Sequence, residues 1–359
     1  MTALLPFPRL RPALARERAE GEPIGRSRAL TDAYGRVATD LRVSLTDRCN
    51  LRCTYCMPAE GLPWLDREEL LDDAETLRLI DIGVGLLGIR TVRLTGGEPL
   101  LRRGLEQLVA GIAALRPRPT IALTTNGIGL ARRAEALAVA GLDRINISLD
   151  TLDRQTFVRL SRRDRLHDVL AGVAAAREAG LAPVKINAVL MRGVNDHEAP
   201  DLLRWAMTEG VQLRFIEQMP LDAQHAWQRS EMVTADEIRA RLAEQVELVE
   251  DEGDARRRGS APAELFRVAG TEHRVGIIAS VTRPFCGACD RVRLTADGQL
   301  RNCLFARSES DLRGPLRAGA TDDELADRWL AAVAGKRPGH GIDDPSFLQP
   351  DRPMSAIGG

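Results

Sequence analysis

Six short β-rich runs, separated by helix-like stretches, order the chain from Leu41 to Glu217, and this alternation constrains the fold more than any other feature. The runs are Leu41–Thr46, Thr91–Thr95, Thr120–Thr124, Arg144–Leu149, Val184–Val189 and Gln212–Glu217. The helical patterns lie near 68–87, 103–115, 130–140, 154–178 and 198–208, with turn signals such as Gly141 and Gly180 after them. Strands separated by helices pair in parallel through right-handed crossovers. The expected fold is therefore α/β, a partial (βα)6 TIM-like barrel. In such a barrel chemistry collects on the loops leaving the C-terminal ends of the strands. Gly96-Gly97-Glu98-Pro99, Thr124-Thr125-Asn126-Gly127 and Ser148-Leu149-Asp150 all follow strands, so they are expected to converge on one rim.

The pattern changes after Pro220. Residues 221–262 are polar, with one helical pattern at 234–245 and a charged loop at Asp251–Gly259. Strand-like runs follow at Leu265–Val268, Arg274–Val281 and Arg291–Thr295, then a helical pattern at 321–334 and a Pro/Gly-rich tail. The expected organisation is a mobile extension over 1–30, the barrel over 31–220, and an α+β C-terminal region over 221–359.

All six cysteines fall into two groups of three, Cys49-x3-Cys53-x2-Cys56 and Cys286-x2-Cys289-x13-Cys303. An odd number per group is awkward for disulfides and fits metal-bound thiolates in a reducing compartment. A structural zinc site is closed by four protein ligands. The five histidines are His167, His197, His225, His273 and His340, none near the first group in sequence, and no fourth ligand adjoins the second. Sulfur-rich ligation one ligand short suits iron–sulfur clusters, each with one iron left open.

Composition narrows the classes further. With 50 basic and 51 acidic residues, net charge −1, and 4% aromatic residues, the chain does not read as a general nucleic-acid or membrane-surface binder. It has no apolar run long enough to span a bilayer. The N-terminal stretch is interrupted by Pro6, Pro8 and Pro12 and lacks an apolar h-region, which points to the cytoplasm.

The first cysteine loop follows a strand, has Tyr55 before its last cysteine and runs into Met57-Pro58; it resembles the cluster loop of the radical S-adenosylmethionine (SAM) superfamily. Gly96-Gly97-Glu98-Pro99, one strand further on, looks like the superfamily's contact with the SAM amino group. Thr46-Asp47-Arg48-Cys49-Asn50, Arg93-Leu94-Thr95-Gly96-Gly97-Glu98-Pro99, both cysteine spacings, the Arg291-x-Arg293 pair and the terminal Gly-Gly narrow the match. From about Leu30 to Gly359 the chain resembles the GTP 3′,8-cyclase family, molybdenum cofactor biosynthesis protein A. Asp290 stands where the family often has Asn.

The resemblance implies two [4Fe-4S] clusters, on Cys49, Cys53 and Cys56 and on Cys286, Cys289 and Cys303. It implies SAM on the open iron of the first, contacted by Tyr55, Gly97, Ser148 and Met219. It implies GTP on the open iron of the second, contacted by Arg42, Arg93, Thr124, Lys185, Arg291, Val292 and Arg293. The adenosyl radical would take hydrogen from ribose C3′, which would then attack C8 of guanine. Gly358 and Gly359, by default a frayed chain end, would reach the active site and serve the cyclisation. A reductase or flavodoxin/ferredoxin-type donor, cyclic pyranopterin monophosphate synthase as the next enzyme, and a homodimer or monomer are implied in the same way. The residues alone are compatible with this: alternate strand positions share a face, so Arg291 and Arg293 can act as a pair, and converging arginines suit phosphate. The rivals are another radical SAM enzyme with an auxiliary cluster, for example a peptide-modifying one, and a zinc or nucleic-acid module, which the charge balance disfavours.

Overall fold

The computed structural model describes residues 28–251, 253 and 258–358; the extension expected over 1–30 lies almost wholly outside them, and so does Gly359. Six parallel strands pair neighbour to neighbour in chain order: β1 (Asp40–Ser44), β2 (Thr91–Thr95), β3 (Thr120–Thr125), β4 (Arg144–Ser148), β5 (Val184–Val189) and β6 (Gln212–Ile216). Between them run α1 (Asp73–Gly85), α2 (Leu105–Ala113), α3 (Ala134–Val139), α4 (Arg154–Ser161), α5 (Leu166–Glu178) and α6 (Ala199–Glu209). This is the partial barrel that the alternation calls for.

The C-terminal region continues the same sheet at both edges. After α7 (Ala235–Ala243) come β7 (Leu248–Glu250), β8 (Glu264–Val268) and β9 (Arg274–Ile278); β9 pairs parallel with β6 and antiparallel with β8. Then β10 (Arg291–Leu294) crosses to the other side and pairs parallel with β1, followed by β11 (Gln299–Arg301) and β12 (Ser310–Asp311). Among the described residues the result is one sheet of twelve strands.

Strand alternation divides apolar from polar side chains. Leu41 and Val43, Val92 and Leu94, Ile121 and Leu123, Ile145 and Ile147, and Leu213 and Phe215 are buried in the core between sheet and helices. Their alternates, Arg42, Arg93, Thr124, Asn146, Lys185 and Arg214, line a cavity inside the barrel. Most TIM barrels fill that space with branched apolar side chains; this one leaves it hollow and charged.

The continuous helix expected over 154–178 is instead two, α4 and α5. Arg162 ends α4 in the left-handed region (φ 55°). The carbonyls of Leu160 and Ser161 accept from the backbone N–H groups of Thr54 and Arg52 at 2.9 and 3.0 Å, so the cysteine loop takes acceptors that a longer helix would use. Arg162 Nη1 in turn donates to the carbonyls of Arg52 and Met57 at 3.2 and 3.0 Å.

Candidate active site

The barrel cavity has a volume of about 660 Å³ and reaches both cysteine groups. Cys49, Cys53 and Cys56 lie on the loop leaving the C-terminal end of β1. Cys286 and Cys289 precede the N-terminal end of β10, which runs parallel to β1, and Cys303 follows β11, which runs back antiparallel. The two groups therefore occupy opposite ends of the barrel. The strand between them, at about 3.3 Å per residue, spans on the order of 15 Å.

All six thiols are free and partly buried. Burial pushes Cys49 up to about 11 and Cys56 up to about 12, and holds Cys53 well above the ordinary thiol range. At the other end burial raises Cys286, and it opposes a net lowering of Cys289 that the Lys336 and Arg291 charges bring about. Thiols held this high by burial take up charge at neutral pH when they bind a cation. Among the described residues no three His, Cys, Asp or Glu side chains gather as ligands of a single ion. A cubane cluster makes a different demand, because each thiolate binds its own iron. Three thiols on one wall of a cavity fit it.

His340 also lines this cavity, although the sequence sets it far from the second group. Its ring meets Phe305 at 5.1 Å between centroids. Nδ1 accepts from Ile342 N at 3.0 Å, which puts the proton on Nε2, 3.1 Å from the Ser280 carbonyl. Burial lowers its pKa and keeps the ring neutral. Both nitrogens are thus engaged, and neither is offered as a fourth ligand.

The Gly-Gly-Glu-Pro turn presses against the first cysteine loop. A Cβ on Gly97 would stand 2.3 Å from the carbonyl oxygen of Arg48 and 2.5 Å from that of Asp47, so the close approach that needs glycine here is to the chain's own backbone. Gly97 N and Glu98 N donate to the carbonyls of Thr46 and Arg48 at 2.7 and 2.8 Å, extending the ladder between β1 and β2. Glu98 accepts from Thr125 Oγ1, Asn126 N and Leu100 N, yet burial raises its pKa to about 7. Tyr55 donates to Asp150 Oδ2 at 2.7 Å, and Ser148 and Met219 line the same cavity.

Below this rim lies a row of cations. The register sets Arg293 beside Arg42 and Arg42 beside Arg93, on three neighbouring strands about 4.8 Å apart. Like charges placed opposite one another repel. Asp40 is the carboxylate among them, 3.5 Å from Arg93 and 4.0 Å from Arg42. Burial raises the Asp40 pKa, but the surrounding guanidiniums outweigh that and lower it. Burial above all depresses Arg42 and Arg93 and pushes Arg293 down to about 10; Arg293, Arg291 and Arg93 add to it at Arg42, Arg144 and Arg291 at Arg93, and Arg291 and Arg301 at Arg293. Arginine keeps its proton in proteins, so three buried guanidiniums stand here with Asp40 as the carboxylate paired to two of them. The Nε atoms of Arg42, Arg93 and Arg291 are buried with no hydrogen-bond partner, consistent with the long Asp40–Arg42 separation.

Arg291, Lys185 and Thr124 also face the cavity, whereas the Val292 side chain is in the apolar core. Arg144, Asn146, Asn187 and Arg214 line it too, and the motif reading missed them. Burial pushes Arg214 down to about 9, and the nearby Arg93, Arg144 and Arg291 add to that. The signal for Arg214 was present, since it interrupts Leu213 and Phe215 at an inward position of β6.

The tail is docked rather than frayed. Arg352 makes two hydrogen bonds to the Asp297 carboxylate, at 2.9 and 2.7 Å. The short helix Met354–Ile357 follows, with Ile357 fully buried. Gly358 has φ 84°, and its carbonyl accepts from Arg293 Nη1. It sits over the C-terminal ends of β1 and β2, where a Cβ would be 2.8 Å from Thr95 Cγ2 and 3.2 Å from Ser44 Cβ.

Residues 43–206 match the model of the Radical SAM superfamily and residues 211–342 that of Molybdenum Cofactor Synthesis C. A GTP 3′,8-cyclase of Streptomyces coelicolor is 65% identical over 330 residues, 92% of this chain and 96% of that protein. One of Mycolicibacterium smegmatis is 59% identical over 358 residues, 97% of this chain and 98% of that protein. Among solved structures, Streptococcus suis SuiB bound to S-adenosylmethionine covers 87% of this chain and 69% of its own at 13% identity, with a TM-score of 0.56. A histidine-tagged anSMEcpe with bound AdoMet covers 87% and 81% at 15% identity, with a TM-score of 0.55. At such identities these two likenesses speak to the fold. The sequence relatives match along nearly their whole length, and the chain belongs to the GTP 3′,8-cyclase family of the radical SAM superfamily.

Proposed function

We propose that GTP lies in the barrel cavity with its triphosphate against Arg293, Arg42 and Arg93 and its base toward Cys286, Cys289 and Cys303, which would hold a second [4Fe-4S] cluster. The reaction of the family converts GTP to (8S)-3′,8-cyclo-7,8-dihydroguanosine 5′-triphosphate, the first step of molybdenum cofactor biosynthesis. A radical SAM enzyme uses SAM and a [4Fe-4S] cluster, here on Cys49, Cys53 and Cys56, and when bound they supply one-electron cleavage of SAM and hydrogen abstraction from the ribose. The chain's own contribution is placement. Its cations would neutralise the triphosphate, and the two ends of the barrel would hold ribose and base between the cofactors. Bringing C3′ and C8 into one orientation is an entropic contribution that a flexible nucleotide lacks in solution. The same reading calls for a low-potential donor of flavodoxin, ferredoxin or reductase type, and for cyclic pyranopterin monophosphate synthase to consume the product.

The observation that carries this is the surplus of buried positive charge between two cysteine groups. The test is anaerobic incubation of the reconstituted chain with SAM, a reductant and GTP. The expected products are 5′-deoxyadenosine and a cyclised nucleotide. Deoxyadenosine with unaltered GTP would overturn the substrate assignment.

Arg42→Met isolates the charge argument. A lost charge-assisted contact costs roughly 1.5–3 kcal/mol, so GTP affinity is expected to fall about ten- to hundredfold. The nucleotide-free chain should instead melt at higher temperature, because one of three adjacent cations is gone. Melting curves with and without GTP check both signs; unchanged affinity would remove Arg42 from the triphosphate site.

A further inference from the structure

Lys336 sets a positive charge against the second cysteine group with no ion-pair partner among the described residues. It follows the helix Asp322–Ala334 and is 5% exposed. Its Nζ donates to the carbonyls of Cys289 and Arg291 at 3.1 and 2.9 Å and stands 3.6 Å from Cys289 Sγ. Among the described residues no Asp or Glu forms an ion pair with it. An ammonium buried this deeply is costly unless an anion stands close by. The group that its geometry offers is the Cys289 sulfur.

A second cation fastens the same loop but has its charge matched. Arg36 Nε pairs with Asp32 at 2.6 Å, and both side chains are nearly fully buried. Its Nη1 donates to the carbonyls of Cys286 and Pro338 at 2.8 and 2.9 Å, and its Nη2 to that of Arg337 at 2.6 Å. Arg36 therefore ties the cysteine loop to the turn that carries Lys336. Arg291 approaches Cys289 Sγ at 4.0 Å, but its other nitrogen donates to the Ser260 carbonyl and its guanidinium lies over the Phe285 ring at 4.7 Å.

We propose that Lys336 is a positioning residue for the auxiliary cluster whose ammonium, hydrogen-bonded at Cys289, raises the reduction potential of that cluster, while Arg36 fixes the turn that delivers it. This rests on the reading that Cys286, Cys289 and Cys303 hold a cluster. Cluster potentials follow net charge, hydrogen bonds to the sulfurs and solvent exposure, and Lys336 changes the first two at once.

The test uses the full chain with Cys49, Cys53 and Cys56 replaced by alanine, so that iron, sulfide and EPR signals report the auxiliary cluster. Lys336→Gln keeps a hydrogen-bond donor and removes the charge. It is expected to retain iron and sulfide, while the ratio of reduced to oxidised cluster at a fixed poise falls about tenfold, or about 59 mV for a one-electron couple. Lys336→Arg should restore most of the ratio, and Lys336→Met should lower it and also shed iron faster. If Gln and Met both match the lysine chain in ratio, the proposal is wrong, whatever happens to retention. If the background chain takes up no iron and sulfide, the second-cluster reading itself fails and the Lys336 proposal falls with it.

Discussion

Replacing Cys49, Cys53 and Cys56 by alanine is expected to abolish 5′-deoxyadenosine formation, whereas replacing Cys286, Cys289 and Cys303 is expected to leave a slow, uncoupled cleavage of SAM and no cyclised nucleotide. The asymmetry follows from where the two groups sit. The first lies at the rim formed by the C-terminal ends of β1 and β2, beside the Gly-Gly-Glu-Pro turn and the Tyr55–Asp150 pair. The second lies at the far end of the cavity, beyond the arginine row. Loss of the first removes the electron entry to SAM and should lower the rate by all that the cofactor contributes. With GTP placed as proposed, loss of the second would remove one wall of the substrate site. Chromatographic quantitation of deoxyadenosine and nucleotide products from both variants decides it. Equal loss of deoxyadenosine in the two would overturn the assignment of distinct roles.

Gly358→Ala is expected to lower formation of the cyclised nucleotide roughly ten- to hundredfold while the first cluster stays loaded. A left-handed conformation at a residue with a Cβ costs about 1–3 kcal/mol, and each 1.36 kcal/mol is tenfold in rate. Gly358 has φ 84°, and the added Cβ would fall 2.8 Å from Thr95 Cγ2, so the tail cannot keep both its path and its bond to Arg293. Arg352→Ala, which removes the two bonds to Asp297 but leaves the terminal path open, should give a smaller loss. Product analysis alongside iron content checks this. Full turnover in Gly358→Ala would mean that the docked tail is incidental to the chemistry.

How much of this was legible depended on how local the cause was. The six barrel strands could be read because an apolar run between turn signals is a property of the run itself. The first cysteine group was legible for the same reason, its members lying within one loop. The break between α4 and α5 was not, because it is made by Arg52 and Thr54, about a hundred residues away in sequence. His340 was set aside by sequence distance, yet it stands in the cavity with both nitrogens engaged. Arg144 and Arg214 went unread because an isolated arginine on a strand is usually a surface charge, although the apolar alternates of Arg214, Leu213 and Phe215, already marked its inward face. Val292 shows the converse: a position between two cavity arginines has its side chain in the core by the pleat of β10.

The placement of β9 and β10 has a consequence for the chain as an object. The strand that ends the barrel, β6, and the strand that begins it, β1, both owe their outer hydrogen-bond partners to residues beyond 270. A polypeptide stopping near Pro220 would carry two raw edges with unpaired N–H and C=O groups, each a template for pairing with another chain. The change of pattern after Pro220 is thus a change of sequence style within one continuous sheet, and the later strands act as its edge protection.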